Sequence, residues 1–162
     1  MQENELSISA TATIGASPEQ IWEILTDLRR YHTWHPGLEL LHGLGSEGLE
    51  PGVVLRLRAD RGRQTEREFD VTVTEVARPT ALAWEGGDPE VFFGRHRFTL
   101  SPAPDGTHLV DEEVFSGALA AALLGEHRAA LSGAYKAAAD ALKAASESRP
   151  HTQGRPPQRP SA

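Results

Sequence analysis

The chain has 162 residues, 39% of them hydrophobic and 24% charged, with a net charge of −7, which is room for one domain burying about 70% of its unfolded surface. It has no cysteine, so a disulfide framework, a thiolate metal site and a Cys nucleophile are excluded, and its acidity makes a phosphate backbone a poor partner. No run of about 18 apolar residues is present to span a bilayer, and the start Met-Gln-Glu-Asn-Glu has no apolar segment of the signal-peptide kind, so a cytoplasmic protein without nucleic-acid or membrane-spanning roles is expected.

From Leu6 to Ile14, apolar and hydroxyl side chains alternate, the mark of a strand with one dry and one wet face. A helix follows whose start is marked twice, by Ser17 as N-cap and by Pro18 at the first helical position. Gln20 stands where it can complete a capping box, and Ile21, Trp22, Leu25 and Leu28 fall on one face. Arg29 to Trp34 predicts a second short helix, ended by the restriction that Pro36 places on His35. Four strands are predicted at Leu38–Gly43, Val53–Asp60, Arg67–Val76 and Ala81–Glu85, separated by Gly, Pro and Asp breaks. Gly86-Gly87-Asp88-Pro89 reads as a turn with nothing to suggest phosphate binding.

Two further strands, Phe92–Ser101 and His108–Phe115, are joined by Pro-Ala-Pro-Asp-Gly, whose chemistry suits a hairpin. A long helix over Ala118–Ala145 carries Leu124, Leu131, Tyr135, Ala138 and Leu142 on one stripe, and Gly125 is a candidate bend. The domain is thus expected to span residues 1–145, with a Pro-rich tail over 146–162 that cannot supply a core and is expected to be disordered. Removing that tail's three Arg and one Glu from 16 basic and 23 acidic residues leaves a body near −9. One strand, two short helices, six strands and a long helix predict an α+β fold, a strongly curved antiparallel sheet of about seven strands wrapped around the C-terminal helix.

Several segments carry a family likeness. Ser17-Pro-Glu-Gln-Ile-Trp-Glu-Ile-Leu-Thr-Asp with the aromatic-His turn up to His35-Pro36, Val73-Thr-Glu-Val-Ala-Arg-Pro-Thr-Ala-Leu-Ala-Trp84, and Phe93-Gly-Arg-His-Arg-Phe-Thr-Leu100 with Phe115-Ser-Gly-Ala-Leu resemble the START-like helix-grip superfamily, also called SRPBCC. The last pair is similar to its bacterial polyketide cyclase or dehydratase subgroup. The resemblance covers nearly all of residues 5–145. It implies a hydrophobic cavity between sheet and long helix, but no catalytic motif to carry over, because the superfamily uses one cavity for transport, cyclisation, hydroxylation and partner binding.

Alternation then supplies candidate cavity residues. His96 shares a face with Phe92, Phe98 and Leu100, and Leu109, Asp111, Glu113 and Phe115 share one face of the next strand, with the opposite phase (His108, Val110, Glu112) left open. His96 beside Asp111 and Glu113 can be an acid–base group or a structurally paired cluster. Leu55, Leu57, Val71, Trp84, Phe92, Phe98, Phe115, Leu124, Leu131 and Tyr135 are candidate ligand contacts, and His127 on the helical stripe is another, or a histidine at its edge. Trp34 is a lid over the entrance or packing beneath it. His32, His35 and His42 lack the converging spacing of a zinc site, so no metal and no cofactor are expected. The Arg run from Arg56 to Arg67 reads as the solvated face and tip of a hairpin. Three function classes follow: a binding module for a small apolar or aromatic molecule such as a lipid or polyketide-like compound, a cyclase or dehydratase using His96 and a carboxylate, and a protein-interaction module, which the charged outer strand positions disfavour.

Overall fold

The computed structural model describes residues 6–148. Strand β1 (Ser7–Ile14) leads into α1 (Pro18–Thr26) and a 3-10 helix (Leu28–Thr33), then β2 (Leu38–His42), β3 (Val54–Ala59), β4 (Arg67–Ala77), β5 (Ala81–Asp88), β6 (Phe92–Ala103), β7 (Gly106–Ser116) and α2 (Ala120–Ser148). The seven strands form one antiparallel sheet in the order β1-β7-β6-β5-β4-β3-β2. The first strand therefore pairs with the last, and every other neighbour is a hairpin partner. This is the helix-grip α+β arrangement.

Local chemistry accounts for the helix starts. The Ser17 hydroxyl accepts from the Gln20 amide at 3.2 Å while Gln20 Oε1 accepts from the Ser17 amide at 3.1 Å, a complete capping box that satisfies two otherwise orphaned donors. Ile21, Trp22 and Leu25 on the inner face of α1 are buried against Leu55, Leu57, Val71, Leu82 and Leu100 of the sheet. The sheet's outer face is laced with ion pairs between Arg56 and Asp70, Arg58 and Glu39, Arg95 and Glu85, and Arg97 and Glu75. The Arg run is thus largely the solvated face it was read to be.

Three expectations are revised. Gly86, Gly87 and Asp88 are not a turn but the end of β5, paired with Gly94, Phe93 and Phe92. Gly87 holds a φ of 105°, and a Cβ there would meet the Phe92 carbonyl, so the strand stays paired only because this residue has no side chain. The long helix continues through Ser148, past the expected boundary at Ala145, because its last turns are tied to the end of β1. Lys143 Nζ donates to the Thr13 carbonyl at 2.8 Å, and the Glu147 carboxylate accepts from the Gly15 amide at 2.8 Å. The rest of the expected tail, 149–162, lies outside the described residues. Finally, α2 runs unbroken through Gly125, so the candidate bend is not used.

The coverage of the concave face decides where a site can be. α2 packs on β1, β7 and α1, so it lies along one side of the sheet rather than across its middle. Its C-terminal half buries Ala138, Ala139 and Leu142. Its N-terminal half is more exposed, held where Ala120, Leu124, Leu131 and Tyr135 reach a second small cluster with Ile8, Phe92 and Phe115 and where Arg128 donates to the Ser7 carbonyl at 3.0 Å. His127 belongs to this exposed half: its side chain is 54% exposed, with Glu126 at 3.8 Å. The helical step puts it near the apolar stripe, but its side chain stands in water at the stripe's edge, the second of the two readings given above, rather than lining a cavity.

Candidate functional site

The hairpin β6–β7 settles the open phase. Leu109, Asp111 and Phe115 are buried, while His108 and Glu112 are exposed, and the register sets His96 opposite Glu113 and Phe98 opposite Asp111. A two-residue loop at Pro104 and Asp105 closes the hairpin. Because successive inward residues of antiparallel neighbours lie side by side, His96 falls between the two carboxylates. Its Nε2 lies 2.5 Å from Asp111 Oδ1, and its Nδ1 lies 3.7 Å from Glu113 Oε1.

Tyr135 of α2 completes the group by donating its hydroxyl to Glu113 Oε1 while its ring stacks on His96 at 5.4 Å. Phe98 also stacks on the His96 ring, at 4.5 Å, and Trp84 meets that ring edge-on at 5.4 Å. The sequence placed Tyr135 among ligand contacts. Its hydrogen bond to Glu113 depends on the angle at which α2 crosses the sheet, which no spacing encodes.

Electrostatics follows from this packing. Burial opposes a charge on His96, yet the attraction and hydrogen bond of Asp111, with Glu113 adding to them, outweigh it and raise the imidazole pKa above its ordinary value. Both ring nitrogens thus face carboxylates, as suits an imidazolium. Burial pushes the Glu113 carboxyl above the usual carboxylate range, while His96 and the more distant Arg67 pull the other way and Asp111 adds to the rise.

Arg67 shares the inward phase of Phe69 and Val71 and lies over the Phe69 ring at 5.9 Å. Its guanidinium is 56% exposed and held by Asp60 at 3.3 Å and by the Thr65 carbonyl, so it belongs to the hairpin tip as the sequence reading had it. Gly94, in phase with His96, was passed over: a Cβ there would collide with Glu113 Oε2, and Phe115 lies 3.4 Å from the same point. The carboxylate therefore occupies the volume that a side chain on β6 would need.

At the other end of the network, His35 and Asp111 line a void of about 10 Å³, roughly one water in size, with Tyr31, Trp34, Phe98 and Leu109. His35 Nδ1 accepts from the Gly37 and Leu38 amides at 3.1 and 3.0 Å, so its proton is on Nε2. Burial, reinforced by His96 and opposed by Asp111, lowers its pKa to about 4. A ring held as an acceptor for two amides is a backbone clamp, which gives His35 a structural role. Trp34 packs edge-on against Tyr31 at 4.9 Å and separates this void from an outer groove of about 660 Å³ between α1, the 3-10 helix and the last turns of α2. It fills the wall rather than covering the open end.

The remaining candidate contacts divide in two. Leu55, Leu57 and Val71 are packed core beneath α1, at 0%, 0% and 4% exposure, where alternation had made them candidate ligand contacts; the side chains of α1 occupy that volume. Phe92, Phe115, Leu124, Leu131 and Tyr135 gather at the open end, with Phe92 and Phe115 stacked at 5.2 Å. Trp84 and Phe98 lie between the two regions.

Residues 5–147 match the family described as polyketide cyclase/dehydrase and lipid transport. The chain belongs to this family. No curated protein matches it. Solved structures share the fold at low identity: protein CV1439 from Chromobacterium violaceum (14% identity, 87% of this chain and 97% of that one, TM-score 0.66), a protein from Arthrobacter aurescens (16%, 90% and 88%, TM-score 0.70), and the di-domain ARO/CYC BexL from the BE-7585A biosynthetic pathway (18%, TM-score 0.70). This chain spans 90% of its own length but 52% of BexL's in that match. Membership supports a ligand-binding or cyclase role, and no helix among the described residues is long and apolar enough to cross a membrane.

Proposed function

We propose that this protein binds a small, largely aromatic or polyketide-like molecule at the open end of the concave face, between β6, β7 and the N-terminal half of α2. The observation that carries this reading is the pairing of half-buried Phe92 and Tyr135 and buried Phe115 with a carboxylate that is 19% exposed in the middle of them. Apolar walls with one fixed polar group are what a small-molecule site needs. The packed leucines under α1 give a long acyl chain no comparable room, which favours a flat ring over a lipid. The family's description as polyketide cyclase/dehydrase agrees with a polyketide-like ligand, and a cytoplasmic setting without nucleic acid suits the acidic, cysteine-free chain.

The test is an NMR titration with naphthalene and, separately, with decanoate. Binding as proposed shifts the Gly94, Phe115 and Tyr135 amides with naphthalene and leaves residues beneath α1 unmoved. No shift with either probe, or shifts confined elsewhere, overturns it.

A second reading is acid–base chemistry of the cyclase or dehydratase type, favoured by His96 bonded to Asp111 and lying 3.7 Å from Glu113, which Tyr135 caps. In it Glu113, not His96, is the group presented to a substrate, because both nitrogens of His96 face carboxylates. His96 and Asp111 then position and tune Glu113. With a substrate in hand, His96→Asn lowers kcat and moves its pH profile while leaving KM nearly unchanged; an unaltered kcat and profile reduces the network to structure.

A further inference from the structure

Behind Asp111 the charged group approaches the turn into β2, and among the described residues no direct hydrogen bond joins the two. His35 and Asp111 border the small void described above, and Tyr31, Trp34, Phe98 and Leu109 also line it. Asp111 is 3% exposed and gives Oδ1 to His96, while no described residue donates to its Oδ2. His35 takes two amide hydrogens on Nδ1, so the hydrogen on Nε2 is the one it has left to give, and no described residue accepts it. Trp34 is in the same position: its buried Nε1–H has no acceptor among the described residues. Asp111 is close enough to act electrostatically on both His35 and Tyr31. Two donors and one acceptor without partners thus belong to residues around a space of about 10 Å³, which is room for one water if it has two to four polar partners.

We infer that one internal water is bound in this void, accepting from His35 Nε2–H and donating to Asp111 Oδ2, with Trp34 Nε1–H as the further donor in the same wall. The inference is independent of the ligand proposed for the open end. Asp111 then has a donor on each oxygen, which favours the carboxylate over the acid and keeps the proton of the His96–Asp111 hydrogen bond on the ring. His35 gains a second task beside the backbone clamp, because the water ties the turn into β2 to the charged group on β6 and β7. Without it, each of these groups is a buried polar atom lacking a partner, a costly state. N–H groups on two of its walls make the void unsuited to a cation, and its size excludes anything larger than water.

A crystal structure of the full chain tests this directly. One density peak is expected at about 2.7–3.2 Å from both His35 Nε2 and Asp111 Oδ2. In solution, nitrogen-edited spectra are expected to show cross-peaks between water and the His35 Hε2 proton. Their NOE and ROE have opposite signs, as a long-lived bound water gives and chemical exchange does not. Tyr31→Phe keeps these cross-peaks, which excludes relay through the Tyr31 hydroxyl. Asp111→Leu puts methyl groups in place of both oxygens, removing the acceptor and part of the room, and is expected to lose them. If that variant does not fold, the wild-type and Tyr31→Phe measurements carry the test.

A direct hydrogen bond between His35 Nε2 and Asp111, a void without density, loss of the cross-peaks in Tyr31→Phe, or their survival in Asp111→Leu overturns the inference. None of these outcomes bears on the naphthalene titration, so the binding reading stands or falls separately.

Discussion

Beneath α1, the concave face presents Leu55, Leu57 and Leu82 with no exposed surface at all; some strands away, beside the N-terminal half of α2, it presents Phe92, Glu113, Tyr135 and His96 still partly in water. Both ends belong to one sheet with the same alternation, β3 and β5 at the first and β6 and β7 at the second, and both place large apolar side chains inward. What separates them is the cover. α1 and the 3-10 helix bring Ile21, Trp22, Leu25, Leu28 and Tyr31 down onto the first region, while α2 reaches the second with a few side chains. The first region is stability and the second is available for binding, because a buried polar group is tolerated where water or a ligand can satisfy it and costly where nothing can.

The sharpest way to break this division is to truncate the packed end. Trp22→Ala is expected to cost about 3–5 kcal/mol in urea unfolding, whereas Phe92→Ala, whose ring is half in water, costs a fraction of that and instead weakens naphthalene binding. Equal losses from the two would mean that the open end is core.

Asp111 stands where the regions meet. Asp111→Ala leaves His96 without its nearest partner and is expected to cost about 3 kcal/mol. The two histidines flanking that carboxylate also respond oppositely to pH. His96, with its pKa raised, gives stability that is fully present below the ordinary imidazole value of about 6.5 and is lost as pH rises through the raised folded value. His35, lowered to about 4, is neutral in the fold, so its contribution is present above about pH 6.5 and lost as pH falls towards 4. Imidazole NMR titrations check both: His35 keeping an unprotonated Nδ1 to near pH 4, and His96 doubly protonated past the ordinary value. Asp111→Asn should bring the His96 midpoint down; a midpoint that stays put would show that Asp111 does not set it.

Smaller effects refine the picture. Gly94→Ala is expected to cost about 1 kcal/mol, since the displaced atoms include the movable end of Glu113, yet to weaken ligand binding more than stability, separating site from scaffold in one residue. Ser17→Ala, which removes one half of the capping box under the packed end, should cost about 1 kcal/mol with no effect on binding. Removing the Arg97–Glu75 pair on the outer face, exposed on both sides, should change stability by at most about 0.5 kcal/mol.

The sequence alone determined the element order, the helix start at Ser17 and the inward faces of β3, β4 and β6, because capping and period-two alternation are local and need no partner. It also brought His96, Asp111 and Glu113 onto candidate faces, leaving the phase of β7 open until pairing with β6 chose it. Only the tertiary structure decided which apolar wall is core and which is site. Leu57 and Phe115 look alike along the chain, and only the placement of α1 and α2 over them differs. The same is true of single residues. Tyr135 meets Glu113, and His127 remains in water, through the way α2 docks on β1 and β7; Gly86 and Gly87 stay in a strand because Gly94 and Phe93 pair with them. Those outcomes depend on residues distant in sequence, whose mutual geometry exists only once the sheet has curled and the helices have docked.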